Sequence, residues 1–159
     1  EVTAEQKVSA YYPYNVQYTD MTAIPVDITT QEDYMYGEGG VSVEKPSAVL
    51  VMKHALSLVR ILIKKNDYTG DGRVDAVTFG GVRLSASMDV TSGKLLPTGQ
   101  PGEYKAGGNY TLDDASPVYV EAILMPVGTA EGITVNVHVD GRDFTYALPP
   151  THVLSLIHI

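Results

Sequence analysis

Three aspartates recur at four-residue intervals in the stretch DYTGDGRVDAVT, Asp67 to Thr78. Oxygen-bearing side chains at such spacing are what a hard cation such as calcium needs. Asp67, Asp71, Gly72 and Asp75 fall on positions 1, 5, 6 and 9 of an EF-hand loop. Position 3 is Thr69, a neutral ligand, and position 12 is Thr78, which cannot chelate with two oxygens. The flanks VRILIKK and VTFGGV read as strands, whereas an EF-hand loop lies between helices. A polar strand-to-strand turn, with Gly70 and Gly72 supplying positive φ, accounts for the segment better than a metal centre. No metal ligand is therefore assigned. Asp67, Asp71 and Asp75 remain the ligand set of an alternative, in which the chain is a secreted β-sandwich module binding a glycan or, weakly, calcium.

Other reactive side chains are dispersed. His54, His138, His152 and His158 show no metal-ligand spacing. His54 stands among apolar residues, which suits a packed, hydrogen-bonded histidine. There is no nucleophile elbow and no glycine-rich loop opening a helix. Asp113 and Asp114 are neighbours in a loop, where adjacent acids are normally solvated, and Asn109 begins a formal glycosylation triplet. The tyrosines of AYYPY and DYMYG could offer a sugar-stacking surface, but packing with a wet hydroxyl is the commoner use of such rings. No catalytic residue, cofactor-binding residue or cofactor is assigned, and an enzyme is not expected.

Composition narrows the class. The 159 residues carry a net charge of −8, with the acids spread along the chain. A nucleic-acid partner needs clustered Lys and Arg and is excluded. The apolar fraction of 44% supports a core, yet no run approaches a membrane span. The chain has no cysteine, so disulfides and thiolate chemistry are ruled out. With 15 glycines and 9 prolines dividing it, the chain reads as many short strands.

The clearest element is GITVNVHVDGRDFTYALPP. Asp140-Gly141 predicts a two-residue type I′ hairpin turn, which requires positive φ at both positions. That turn sets Val137 opposite Phe144, Val135 opposite Tyr146 and Ile133 opposite Leu148, all on one face. PVYVEAILMP predicts a strand between Pro117 and Pro126. VDAVTFGGVRLSASMDV predicts one or two strands kinked at Gly80-Gly81, and GEYKAGGNYTL lies in the same strand-rich region. The run from Val49 to Ile63 alternates with period two and predicts two strand halves joined at KHALS by a bulge or short helical turn.

Strands about every ten residues, with no parallel crossover, predict an all-β antiparallel sandwich. Residues 1–45 are rich in Tyr and loops and are expected to be the tail of a preceding N-terminal β domain. Residues 46–153 are expected to form the sandwich. The start at Glu1 reads as mid-chain, so the sequence is expected to be a fragment. LSLIHI, residues 154–159, reads as the translation of a transposon-end adapter and is expected to be a non-native tail.

In order, VSAYYPYN, DYMYGEG, KHALSLVRILIKK, VYVEAILMPVG and ITVNVHVDGRDFTYALP resemble the fimbrillin-like pilins of the Bacteroidales, the subunits of type V pili. The similarity runs over most of residues 8–150. It implies a transthyretin-like, Greek-key β-sandwich in each of two domains. It also implies export as a lipoprotein to the outer membrane, and a structural or adhesive role in cell-surface fimbriae. The implied partners are other pilin subunits, joined by donor-strand exchange, and host or bacterial surface ligands. The sequence departs from that pattern in lacking the lipid-bearing cysteine, the first strands and the final strand. The Asp67–Thr78 insert is also longer and more acidic than the turn expected there.

Overall fold

The computed structural model describes residues 5–113 and 115–154. Asp114 and Ser155–Ile159, the greater part of the expected non-native tail, lie outside the described residues. Leu154 forms an antiparallel bridge with Val127.

Thirteen strands follow one another among the described residues: β1 (Gln6–Tyr12), β2 (Ile24–Asp27), β3 (Met35–Val41), β4 (Lys53–His54), β5 (Ser57–Ile63), β6 (Arg73–Val82), β7 (Ser85–Met88), β8 (Leu95–Thr98), β9 (Gly102–Gly107), β10 (Tyr110–Thr111), β11 (Val118–Leu124), β12 (Thr134–Val139) and β13 (Arg142–Ala147). The one helical piece among the described residues is a 3₁₀ turn, Ile28–Thr30. Every strand pairing is antiparallel, so the protein is an all-β sandwich type.

The largest sheet runs β10-β6-β12-β13, with β9 also on β6. Opposed to it in the core is the pair β11-β5. The remaining strands form β2-β7-β8 and β1-β3-β4. Val74, Val77 and Phe79 of β6 are buried with Val120, Ala122 and Leu124 of β11, Val135 and Val139 of β12, Ile24 and Val26 of β2, and Met88 of β7. In β2, β11 and β12 these residues fall on alternate positions, as one-sided burial of a pleated strand demands, while in β6 an irregular register opposite His138 and Val139 separates Val74 from Val77 by three. Ile24, Val26 and Ile28, which precede Pro46, share this cluster with residues that follow it. The outer strands β2 and β8 each contain a proline, Pro25 and Pro97.

The hairpin forms as its turn chemistry dictates. Asp140 and Gly141 have φ of 48° and 74°, and Val137 pairs with Phe144 and Val135 with Tyr146. The Leu148 amide donates to the Ile133 carbonyl at 2.9 Å. What the pattern does not convey is that β13 is exposed along its whole length. The VDAVTFGGVRLSASMDV segment divides into β6 and β7 in different sheets, with an irregular register between Gly80 and Val82.

The expected first strand half, from Val49 to Met52, is not a strand. Residues 46–52 belong to no strand, and Ala48–Met52 lie against the face of β3 at Gly37 and Gly39. Alternate residues Gly37 and Gly39 leave the space: a Cβ on Gly37 would stand 2.7 Å from the Val51 carbonyl oxygen, and one on Gly39 would stand 3.1 Å from that of Val49. The chain crosses a face instead of joining an edge, so Val49 and Val51 stay 84% and 66% exposed. Only Lys53–His54 pairs, with β3, before the chain passes through buried Ala55 and Leu56 into β5.

Candidate functional site: an open apolar groove

The acidic loop joins β5 to β6, and its aspartates do not converge. Asp67 accepts from its neighbour Asn66 at 3.2 Å. Asp75 lies on β6 and pairs with Arg73 at 3.2 Å. Thr78 pairs with Asn136 in the sheet. Among the described residues no group of three or more potential ligands surrounds a common point. The loop is organised by Asp140, a residue the sequence reading used only as a turn former. Its carboxylate accepts hydrogen bonds from the Tyr68 hydroxyl, the Gly72 amide and the Arg73 amide, each at 2.9 Å. The Gly72 amide, followed by the Arg73 amide and the Tyr68 hydroxyl, holds the Asp140 carboxyl below its ordinary pKa, against partial desolvation. The same bond to Asp140 pushes the Tyr68 phenol up.

Gly72 has the positive φ expected of it, 79°, but Gly70 does not adopt one. Gly70 supplies room: a Cβ there would stand 2.5 Å from Asp140 Oδ2 and from the Tyr68 ring. Thus the hairpin turn clamps the loop through three donors, and the acidic spacing is left solvated.

His54, His138 and His152 make local contacts, and His158 lies outside the described residues. His54 Nδ1 lies 2.5 Å from Asp33 Oδ2, a half-buried pair. His138 and Asp143 face each other across the hairpin at 2.7 Å. The His152 amide donates to Pro149 in the turn after β13. Asp113 caps its own loop by accepting from the Ala115 amide at 2.8 Å. Asn109 is exposed in the turn between β9 and β10, with φ of 62°. Of the AYYPY tyrosines, Tyr11 and Tyr14 approach to 6.3 Å, and Tyr11 is equally close to Tyr18 beyond that run.

The feature with the shape of a binding site lies between β5 and the β12–β13 hairpin. β5 pairs with β11 on one side and with no strand on the other, among the described residues. β13 is likewise the last strand of its sheet. Between them runs a groove in two connected parts, open to solvent. The larger, about 460 Å³, is lined by Ile61, Ile63, Val135, Val137, Tyr146 and Leu148. The smaller, about 250 Å³, continues past Phe144 to Leu112, Val139 and Tyr68. Phe144 meets Tyr68 edge to face at 5.9 Å. Because the groove is open, Phe144 and Tyr146 remain 47% and 58% exposed although they lie on the apolar face of the hairpin.

The far edge of the β11-β5 pair is treated differently. Gln31, held at φ of 56°, aims its amide at Ile123 of β11. It accepts from the Ile123 amide at 2.8 Å and donates to the Ile123 carbonyl at 3.0 Å. The two groups of one strand residue point to the same side, so Gln31 occupies that edge as a neighbouring strand would. β5 presents the vacant edge.

Sequence periodicity placed Val59, Ile61 and Ile63 on one face of their strand and Val135 and Val137 on one face of theirs. It carried no signal that these faces meet across an empty lane.

A family model described as fimbrillin-like matches residues 2–156. Among solved structures, a candidate cell-adhesion protein of Bacteroides uniformis superposes with a TM-score of 0.74 at 20% identity, covering 96% of this chain and 64% of that one. One from Bacteroides ovatus gives 0.69 at 18% identity, covering 96% and 58%. One from Bacteroides thetaiotaomicron gives 0.59 at 13% identity, covering 97% and 62%. The chain thus spans less than two thirds of each of these proteins, and the likeness is one of fold. No curated protein sequence matches it significantly.

Proposed function

This chain belongs to the fimbrillin-like family, and from that premise we propose that it is a structural subunit or adhesin of cell-surface fimbriae that accepts a β-strand from a neighbouring subunit. The location we infer is the outer-membrane surface, with the subunit built on a transthyretin-like sandwich. The observation that carries the reading is the groove between two unpaired edges, β5 and β13.

A strand laid there would satisfy backbone amides and carbonyls that otherwise face water, and would place alternate side chains against Ile61, Ile63, Val135 and Val137. Each Val- or Ile-sized side chain buried in this way contributes about 1.5–3 kcal/mol, and each net backbone hydrogen bond about 1 kcal/mol. The half-exposed hydrophobic side chains along the lane are what a strand acceptor needs before its partner arrives.

The test is amide exchange on the full-length protein, monomeric and polymerised. Assembly should slow exchange in β5 and β13 and leave β6 unchanged, because β6 is already paired on both sides. Polymers in which neither edge gains protection would overturn the proposal.

A further inference from the structure

We propose that the groove selects a strand carrying carboxylates toward one end, because the charged lining of the apolar lane is the lysine pair Lys64–Lys65, gathered at its smaller part. This rests on the strand-acceptor reading and adds the chemistry of the occupant.

The chain has 19 acidic and 11 basic residues, yet no acid lines either part of the groove. Its charged lining is Lys64, shared by both parts, and Lys65. Both follow directly from the end of β5: Lys64 stands where the two parts meet, and Lys65 lines the smaller part alone. Neither lysine makes an ion pair among the described residues. Lys65 is within electrostatic reach of Asp140 and favours its carboxylate, but that carboxylate already accepts three hydrogen bonds from the loop. Two lysines without an ion pair among the described residues thus line an otherwise apolar lane.

The spacing of the lining fixes the rest of the occupant. Val135, Val137 and Val139 lie along β12 at two-residue steps, about 13 Å from first to last at strand rise. The strand that fits presents three apolar side chains at alternate positions and carries acids toward one end. Such charges act through attraction across a partly desolvated groove, so they set partner choice and approach more than total affinity.

The experiment uses the full chain and fluorescein-labelled peptides with alternating valine and threonine. Three sets end in Asp-Asp, Asn-Asn or Lys-Lys, each made with the pair at the N-terminus and at the C-terminus so that both strand directions are sampled. At low salt, the better-oriented Asp-Asp peptide should bind about tenfold more tightly than its Asn-Asn counterpart, with Lys-Lys weaker still. The gap should close in 1 M salt. In the double variant K64E/K65E the order should reverse. Both positions follow the end of β5, and a thermal melt superimposable on that of the parent establishes that the variant folds. Equal binding of all three peptides, or an order unchanged in K64E/K65E, would overturn the selectivity while leaving the strand-acceptor reading intact. Failure of every peptide to bind, together with unchanged exchange at β5 and β13 on assembly, would overturn both.

Discussion

Asp140 shows how one side chain can serve two elements. Its backbone forms the hairpin turn with φ of 48°, and its carboxylate gathers the Tyr68, Gly72 and Arg73 donors of the neighbouring loop. Its pKa is depressed in the folded protein. The stability it adds is therefore present above the ordinary carboxylate value of 3.8 and is lost as pH falls through the lower folded value. Asp20 and Asp89 are depressed in the same direction, by the hydroxyls and amides of Thr22 and Thr91. Denaturant titrations should accordingly show stability falling on acidification below about pH 4, with a shallower fall in Asp140→Asn. An equal fall in parent and variant would remove Asp140 from the account. In the core, Phe79 is fully buried. Phe79→Ala should cost about 3–5 kcal/mol in the same titration at neutral pH, and a loss below about 1 kcal/mol would mean that the core around Phe79 closes over the gap.

At the scale of elements, what was legible in the sequence was local. The Asp140-Gly141 pair fixed the turn, and the turn fixed the register of two strands. Prolines bounded β11 correctly, for Val118–Leu124 lies between Pro117 and Pro126. The alternation of Val49 to Met52 misled because period two reports an extended backbone, not a hydrogen-bonded one. Only Gly37 and Gly39, far enough away to be read as loop residues, reveal that this segment packs over a face. A side chain at either position would push the crossing segment off. Gly37→Val should therefore expose residues 46–52 to elastase, with cleavage there about fivefold faster or more. Unchanged cleavage would show that the segment is held by something other than its fit to β3. The loop clamp was illegible for a related reason: its acceptor, Asp140, lies 68 residues from the Gly72 donor. No local pattern encodes that pairing.

For the molecule as a whole, the all-β class followed from the punctuation of short alternating runs, and the resemblance to fimbrillin-like proteins anticipated the family. The groove was not readable residue by residue, because an absent neighbour leaves no mark on the strands that would have flanked it. The dispersal of Asp67, Asp71 and Asp75 also has a consequence for the entire fold. A ligand that binds only the native state raises its melting temperature in proportion to ln(1 + [L]/Kd). Calcium at 5 mM should shift the midpoint by less than about 1 °C. A rise above about 3 °C, reversed by a chelator, would restore the acidic loop as a cation site.

Pro25 and Pro97 add to this picture from the separate β2-β7-β8 sheet. Each sits in an outer strand and withholds an amide from any chain that tries to add there. Gln31 does the same for β11 by occupying its outward groups at Ile123. The lane of the strand-acceptor proposal has no such block: among the described residues its edges carry neither a proline nor a side chain bonded across them. Under the strand-acceptor proposal an arriving strand is therefore steered toward that lane, and subunits added there form a row.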